Sequence, residues 1–304
     1  MRWYIQSMVC DMVFLPPSGY AVPPQCAAAS HIILWKIMST VVPPMPADWQ
    51  LPPGVSRALW DYFHDPAIAR AYDATLDGTP LLNIDQAFVL EHCRLAGTII
   101  DLGSGTGRLA LTLAQNGYRP IAVDLSPEML KVLREKALAL NLDIPCVCGN
   151  LVELGMFADR SFDHAACLFS TLGLIVGADA RLQFLAHVHR LLRPGGVFVL
   201  HVHNRWFNVW TAHGRRLLWT EMLASWLGRG ASGDYEMPAH ASVGRLTMHL
   251  FTRHEIVGLL RAVGFDTVEV RRLSLRPDGR LACPWWFGRL RSYGYLIAAR
   301  KPMA

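Results

Sequence analysis

Three glycines follow an apolar run in the segment TIIDLGSGTGRLA, residues 98–110. Gly103, Gly105 and Gly107 allow positive φ and let a ligand lie directly against the backbone. The amphipathic helix predicted directly after the loop would present its first amides to that ligand. Asp101, two residues before the first glycine, would repel a pyrophosphate but attract an ammonium group. The segment therefore predicts a nucleotide-like ligand that is cationic at one end.

A second carboxylate ends the next predicted strand, in the segment AVDLS. This residue, Asp124, follows Gly103 by about 20 residues, the spacing expected of an acid that binds ribose hydroxyls. Dinucleotide-binding loops read G-x-G-x-x-G, whereas this loop reads G-x-G-x-G and continues with the bulky Arg108. The loop therefore argues against a nicotinamide-dependent oxidoreductase.

Two histidines are the best candidates for a catalytic base. His201 and His203 lie near the carboxyl end of the fifth predicted strand, GGVFVLHVHN, which follows a predicted turn, RPGG. Residues two apart on a strand point to the same face, so both imidazoles would reach one site. The alternative is a structural role, in which they bond loop backbone or pack under the helices.

No metal is predicted. Cys146 and Cys148 lie two apart on a predicted central strand, but no second cysteine or histidine pair has the spacing of zinc ligands. We expect both to be small buried side chains.

The elements that would position these residues come from a change in hydrophobic period. Between residues 97 and 204, short apolar runs alternate with amphipathic stretches, one of which begins at Ser126 as N-cap with Pro127 at its first position. Such alternation produces right-handed crossovers and a parallel sheet covered on both faces. Near the end, a capping box of Thr252 and Glu255 precedes two strands with no helix between them, which indicate an edge hairpin. The predicted fold is α/β, a doubly wound, mostly parallel seven-stranded sheet with an antiparallel C-terminal strand.

The segments outside this core differ in composition. Residues 1–55 are rich in proline and show no sustained period, so we interpret them as an irregular extension. The remainder, predicted to form one domain, divides into leading helices 56–96, the core 97–204, an insertion 205–245, and a C-terminal helix and strands 246–304.

The insertion combines tryptophans with arginines. Trp206, Trp210, Trp219 and Trp226 lie in it, interspersed with several arginines. This composition fits an apolar lid over an acceptor, a peripheral membrane contact through residues 205–230, or a helix packed on the sheet edge with solvated arginines. A lid would favour an apolar acceptor such as a quinone or an isoprenoid.

The composition excludes several classes of protein. Of 304 residues, 52% are hydrophobic and 17% charged, which suits a globular chain, and a net charge of +5 is weak evidence for nucleic-acid binding. The cysteine count, seven, is odd, which does not suit a disulfide framework. With no apolar run of membrane-spanning length and no clear signal peptide, we expect a cytoplasmic protein.

From about Tyr72 to the C-terminus, the chain resembles the class I S-adenosylmethionine-dependent methyltransferases, particularly the small-molecule branch called methyltransferase type 11. The resemblance is carried by DLGSGTG, AVDLS, CGNLVEL, CLFSTLGLI and LLRPGG in that order. It implies S-adenosylmethionine as cofactor, with an asparagine at position 150 where the family more often has aspartate. The cofactor-binding residues that it implies are Tyr72, Asp101, Gly103, Ser104, Gly105, Gly107, Asp124, Leu125, Met129, Asn150, Leu151, Phe169 and Ser170.

The resemblance also implies what the family does. Methyl transfer from a sulfonium needs mainly orientation and exclusion of water, so the acceptor leaves a weak signature in the sequence. We expect a methyltransferase acting on a small acceptor, apolar if the insertion forms a lid. A non-catalytic module that binds S-adenosylmethionine, and the oxidoreductase above, are the alternatives.

Overall fold

The computed structural model describes residues 46–76, 79, 81–228, 233–236 and 246–303. The chain divides into two compact units, Met1–Leu51 and Pro52–Ala304. In the first unit, a 3-10 turn spans Asp48–Gln50. Most of the predicted extension, and part of the insertion, lie outside the described residues, and the proposed domain division at residue 55 stays a prediction.

Seven strands form one sheet in the order β3-β2-β1-β4-β5-β9-β8, and β6 and β7 form a separate ribbon. All neighbours in the large sheet run parallel except β9, which is antiparallel to both β5 and β8. The predicted α/β sheet with an antiparallel last strand is thus confirmed. The strands are β1 Thr98–Leu102, β2 Arg119–Asp124, β3 Cys146–Cys148, β4 Phe162–Cys167, β5 Leu192–His203, β6 Asp234–Glu236, β7 Thr247–His249, β8 Asp266–Leu273 and β9 Gly294–Arg300.

Helices cover both faces of the sheet because its strands are apolar on both sides. One core cluster contains Phe88 and Leu113 and a second contains Phe184 and Leu260, all fully buried, while a third, smaller cluster includes Leu133. The helices are α1 Arg57–Phe63, α2 Pro66–Leu76, α3 Leu81–His92, α4 Arg108–Gln115, α5 Pro127–Ala139, α6 Thr171–Leu174, α7 Ala178–Leu191, α8 Ala212–Trp226, α9 Arg253–Ala262 and α10 Gly288–Arg291.

The two predicted helix starts are confirmed. The Ser126 hydroxyl accepts a hydrogen bond from the amide of Met129 and caps α5. At α9, the Thr252 hydroxyl and the Glu255 carboxylate each accept from the other residue's amide. These contacts satisfy amides that have no partner inside the first turn.

The connections around β5 and β9 differ from the prediction. Segment 193–196, expected as a turn, lies inside β5, where the pairing with β4 shifts between Leu192 and Val197. Gly195, at φ 78°, accommodates this bulge. The last two strands do not form a simple edge hairpin, because the one-turn helix α10 lies between them and β9 is inserted between β5 and β8.

The prediction for Cys146 and Cys148 was wrong. Their strand, β3, is the edge of the sheet and has a single neighbour, β2. Cys148 is therefore exposed, and Cys146 is half-buried. A three-residue apolar run cannot reveal from its own sequence whether it lies in the centre or at the edge.

The insertion begins with a 3-10 turn, Arg205–Trp210, and continues as α8. Trp219 and Trp226 on this helix are 71% and 82% exposed, so they do not pack in the core. Within the part of the chain that is described, no helix is long and apolar enough to cross a bilayer.

Candidate active site

A cavity of about 390 Å³ opens at the carboxyl ends of the central strands. The chain passes from β1 outward to β2 and β3 and then returns to β4 on the other side of β1, so the strand order reverses there. A crevice forms at such a point because the two following loops leave in opposite directions. Asp101, Asp124, Phe169 and His203 reach the cavity from the ends of four neighbouring strands.

The glycine loop takes the conformation that its composition predicts. Gly103, Gly105 and Gly107 have φ of 78°, 53° and 84°, a region that side chains disfavour. A Cβ at Gly103 would lie 2.5 Å from the Thr171 methyl group, so there the loop packs directly on α6. At Gly105 the nearest atom to such a Cβ would be Tyr72 Cε1 at 3.7 Å, on the cavity side.

Asp101 is buried at the base of the cavity. Burial, and after it the charge of Asp124, raises the pKa of Asp101 to about 7. Among the residues described, Asp101 Oδ2 and Ser104 Oγ have no hydrogen-bond partner although both atoms are buried. A ligand ammonium group could donate a hydrogen bond to either oxygen and would stabilise the charged carboxylate of Asp101.

Asp124 is held by backbone amides. Its Oδ2 accepts from Gly105 N at 2.7 Å and its Oδ1 from Ser126 N at 2.8 Å, while burial raises its pKa. Each carboxylate oxygen has a second lone pair, so the group can still accept hydrogen bonds from two neighbouring hydroxyls. The carboxylate thus joins the glycine loop to the start of α5 and faces the cavity.

The predicted adenine-binding residues line one side of the cavity. Leu125, Met129 and Leu151 supply apolar atoms there. Asn150 also lines it, and its amide is engaged: Nδ2 donates to Pro53 O at 3.0 Å and Oδ1 accepts from Val152 N at 3.1 Å. One lone pair of Oδ1 remains for an exocyclic amino group.

Tyr72 and Phe169 close the cavity near the glycine loop. Burial raises the pKa of Tyr72 to about 12, so its hydroxyl is neutral and serves as a hydrogen-bonding group. The Arg108 guanidinium lies 5.4 Å from the centre of the Phe169 ring. Phe169 has φ 54°, which turns its side chain back from β4 into the cavity.

Three of the predicted site residues do not line the cavity. Gly107 is the N-cap of α4, where a Cβ would meet Leu133 Cγ at 2.3 Å, so its role is in packing. Ser170 is fully buried, and its hydroxyl accepts from the amide of His203. His201 is fully buried behind the cavity wall, because it lies two residues further from the end of β5 than His203, which lines the cavity.

His203 lines the cavity but is a weak base. Burial, and after it the neighbouring His201, lowers the pKa of His203 to about 3. Its imidazole is therefore neutral near pH 7 and binds chiefly as a hydrogen-bonding group.

Sequence reasoning missed several residues that line the cavity. Asp85 and Gln86 belong to α3, Thr171 belongs to α6, and Tyr293 directly precedes β9. Asp85 Oδ2 lies 2.7 Å from His201 Nδ1. The available signal was the buried Asp85, an acidic residue within the largely apolar first half of the helix LLNIDQAFVLEH.

One group of potential metal ligands lies outside the cavity. Donor atoms of Glu91, His92 and Glu269 lie within 4.8 Å of one another. Arg271 donates to both carboxylates, at 2.8–3.0 Å. This cluster is accounted for by ion pairing.

Comparison with known proteins agrees with this geometry. Residues 99–196 match the family described as methyltransferase domain. A putative methyltransferase of Geobacillus sp. (strain WCH70) is 30% identical over 138 residues, 44% of this chain and 55% of that protein. A demethylmenaquinone methyltransferase of Mycobacterium sp. (strain KMS) is 35% identical over 140 residues, again 44% and 55%. The chain therefore spans about half the length of the curated relatives it matches.

The fold is similar to a solved structure from Burkholderia thailandensis. That protein is 1,6-didemethyltoxoflavin-N1-methyltransferase, solved with 1,6-didemethyltoxoflavin and S-adenosylhomocysteine bound. The TM-score is 0.56 with 20% identity, over 86% of this chain and 93% of the other. At this identity the similarity concerns the fold.

Proposed function

The chain belongs to the class I S-adenosylmethionine-dependent methyltransferase family, and we propose that it binds S-adenosylmethionine in this cavity and methylates a small acceptor. The observation that carries the proposal is the pair of buried carboxylates, Asp101 and Asp124, on adjacent strand ends beside the glycine loop. Asp101 lacks a partner for Oδ2 among the described residues, as a site for an ammonium group requires.

Each part of the cavity suits one part of the cofactor. Asp101 and Ser104 would hold the amino-acid end, Asp124 the ribose hydroxyls, and Asn150 the edge of the adenine. When bound, S-adenosylmethionine supplies an electrophilic methyl group with a good leaving group. The chain itself would orient the two reactants and exclude water, which are the main requirements of such a transfer.

The side of the cavity away from the proposed cofactor-binding residues, which we call the acceptor side, has a lining that suits an apolar or aromatic acceptor. Phe169, Met248 and Tyr293 line it, together with His203. One relative is named for demethylmenaquinone, and the Burkholderia structure contains 1,6-didemethyltoxoflavin. We extend these names to a ring-containing acceptor for this chain as part of the proposal.

A role for the histidines follows from their positions. We assign His203 to acceptor contact and His201 to a position one step away, acting through Asp85. With a pKa near 3, His203 would orient the acceptor as a neutral imidazole rather than remove a proton.

We further propose that the insertion contacts the surface of an anionic membrane. Trp219, Met222, Leu223 and Trp226 recur at helical spacing on α8, and each is more than half exposed. They form what we call the aromatic stripe. Arg215 and Arg216, both exposed, lie one turn before it. An apolar stripe beside cations is typical of a helix lying in a lipid interface.

A second exposed aromatic segment, residues 285–287, lies near the start of the insertion. Trp285, Trp286 and Phe287 are 82%, 56% and 60% exposed. Trp210 Nε1 donates to Leu290 O at 2.6 Å, which ties the two segments together. Phe207 of the same 3-10 turn packs on Tyr293 in the cavity wall, with ring centres 5.4 Å apart. A membrane contact here would lie close to the acceptor side of the cavity.

Calorimetric titration tests the cofactor assignment. The wild type should bind S-adenosylmethionine and S-adenosylhomocysteine but not NADH. Asp124→Ala removes the ribose contact and releases the amides of Gly105 and Ser126, so affinity should fall by about 100-fold or more. Asp179→Ala, which removes an exposed carboxylate at the start of α7, is the matched control and should bind as the wild type does.

The outcomes separate the three classes of function. Binding of NADH in place of the sulfur ligands would favour an oxidoreductase. Binding without formation of S-adenosylhomocysteine, over a panel of ring-containing acceptors, would favour a non-catalytic module. Absence of binding by either sulfur ligand would overturn the proposal.

A further inference from the structure

Three buried polar atoms lie in or directly behind the wall on the acceptor side of the cavity. They are Asp85 Oδ1, His201 Nε2 and His203 Nε2, and none has a hydrogen-bond partner among the residues that the structure describes. Buried polar atoms are almost always paired, because leaving one unpaired costs the full free energy of its desolvation. Asp85 and His203 line the cavity, so their two unpaired atoms indicate a polar group that arrives with a ligand.

The cluster is held rigidly by contacts from three directions. The Asp85 carboxylate on α3 bonds His201 Nδ1 through Oδ2, which leaves Oδ1 free to bind. His203 packs on Tyr293 with ring centres 4.7 Å apart. Phe169 makes edge contacts with both imidazoles, at 6.2 and 6.4 Å. Because Asp85, His203, Tyr293 and Phe169 all line the cavity, a ligand can reach the cluster.

The cluster also lies beside the proposed donor site. Phe169 also contacts Arg108, at the end of the glycine loop, and both residues line the cavity. An acceptor bound against Asp85 and His203 would therefore have its polar group close to the amino-acid end of S-adenosylmethionine.

The chemistry of the cluster selects the ligand group. A carboxylate oxygen accepts hydrogen bonds, whereas a neutral imidazole and a phenol each offer a donor and an acceptor. Burial and the charge of Asp85 together raise the pKa of Tyr293, which therefore stays protonated and can donate. A hydroxyl group both donates and accepts, so it satisfies Asp85 and one of these partners at once. The aromatic walls suit a ring that carries it.

We propose that Asp85, His203 and Tyr293 form a binding subsite for the hydroxyl group of an aromatic acceptor, and that His201 is a positioning residue that orients the Asp85 carboxylate. This subsite rests on the proposed function, since it defines the acceptor of that reaction. It names the substrate class as hydroxyarenes.

The test compares two probes that differ only at the hydroxyl. The protein, saturated with S-adenosylhomocysteine, is titrated with 2-naphthol and with 2-methoxynaphthalene. We expect 2-naphthol to bind at least about tenfold more tightly, as for a hydrogen bond to a charged group. Asp85→Asn, which keeps an oxygen for His201, should reduce that preference to below about threefold with unchanged affinity for S-adenosylhomocysteine.

Two further variants complete the design. Tyr293→Phe removes one hydroxyl and should lower the preference in part, which keeps the test open if Asp85→Asn does not fold. Asp179→Asn is the control and should retain the full preference. Equal binding of the two probes, binding of neither, or an unchanged preference in both cavity variants would overturn the subsite.

Failure of the subsite and of the proposed function are distinguishable. If the wild type does not bind S-adenosylhomocysteine, the proposed function is overturned. A preference for 2-naphthol that depends on Asp85 in the ligand-free protein would still support a hydroxyarene site.

Discussion

Two buried carboxylates on neighbouring strands have different surroundings. Asp124 accepts hydrogen bonds from two backbone amides, whereas one oxygen of Asp101 has no hydrogen-bond partner among the described residues. Asp124 is therefore part of the loop's own structure, whereas the unpaired oxygen of Asp101 is the one that we propose binds an ammonium group. This difference arises from position, because Asp124 lies between the glycine loop and the N-cap of α5, and each of these supplies one backbone amide.

Asp101 predicts a dependence of stability on pH. Its pKa is near 4 in an unfolded chain and about 7 in the ligand-free fold, so the folded state keeps a proton that the unfolded state releases. This stabilisation is complete below pH 4 and is lost as pH rises through 7. Asp101→Asn cannot ionise and should not lose this stability. The difference in unfolding free energy between the variant and the wild type should therefore shift in favour of the variant by about 1.4 kcal/mol per pH unit between pH 5 and 7.

Urea unfolding of the ligand-free proteins at a series of pH values checks this. Asp179→Asn, in which an exposed carboxylate is removed, should follow the wild type. Parallel curves for Asp101→Asn and the wild type would contradict the assignment.

At the scale of elements, the site depends on the joint between β1 and α4. Gly103 lies where the loop packs on α6, and its positive φ and its missing Cβ are both required. Gly117, after α4, has a similar φ of 81° with no atom within 4 Å of a Cβ. Alanine substitutions at Gly117 and Gly103 therefore distinguish the cost of backbone strain alone from the cost of strain combined with steric overlap.

We expect Gly117→Ala to cost about 1 kcal/mol of unfolding free energy, the usual penalty of the left-handed region, with unchanged ligand affinity. Gly103→Ala should cost clearly more, and should weaken S-adenosylhomocysteine binding by about tenfold or more, because Thr171 must move. Urea unfolding and calorimetry measure both effects. Equal losses in the two variants would mean that contact with α6 is unimportant.

At the scale of the whole molecule, exposed aromatic side chains are concentrated near one end of the acceptor side. The aromatic stripe and the segment 285–287 flank the turn that carries Trp210. Exposed apolar groups of this extent are unusual on a monomer unless they bind something. Adjacent arginines favour an anionic lipid surface over a second protein copy.

Vesicle sedimentation tests this contact. The wild type should bind vesicles of phosphatidylcholine with phosphatidylglycerol more strongly than phosphatidylcholine alone. Trp219→Ser with Trp226→Ser should reduce binding by about tenfold or more, because two interfacial anchors are lost. Leu95→Ser with Leu138→Ser removes equally exposed apolar groups elsewhere and should have little effect.

Other outcomes count against the membrane. If the wild type binds to neither type of vesicle, the proposed membrane contact is wrong. Concentration-dependent dimerisation that the tryptophan variant abolishes would identify a second copy as the occupant.

Features encoded over a few residues were predictable. The glycine spacing, Asp101, Asp124 and the Ser126 cap act through neighbours in the chain, so their residue types reveal their geometry. Hydrophobic periodicity likewise predicted the alternating strands and helices, because burial on one face repeats with the period of the element.

Contacts between distant segments were decided by tertiary structure alone. Asp85 and His201 are 116 residues apart and meet only because α3 packs on β5. The same holds for Cys148 at an edge and for Trp219 at the surface, since burial depends on which neighbours the topology supplies. The proposed donor site can thus be predicted from local motifs, whereas the proposed acceptor site arises from packing among elements far apart in sequence.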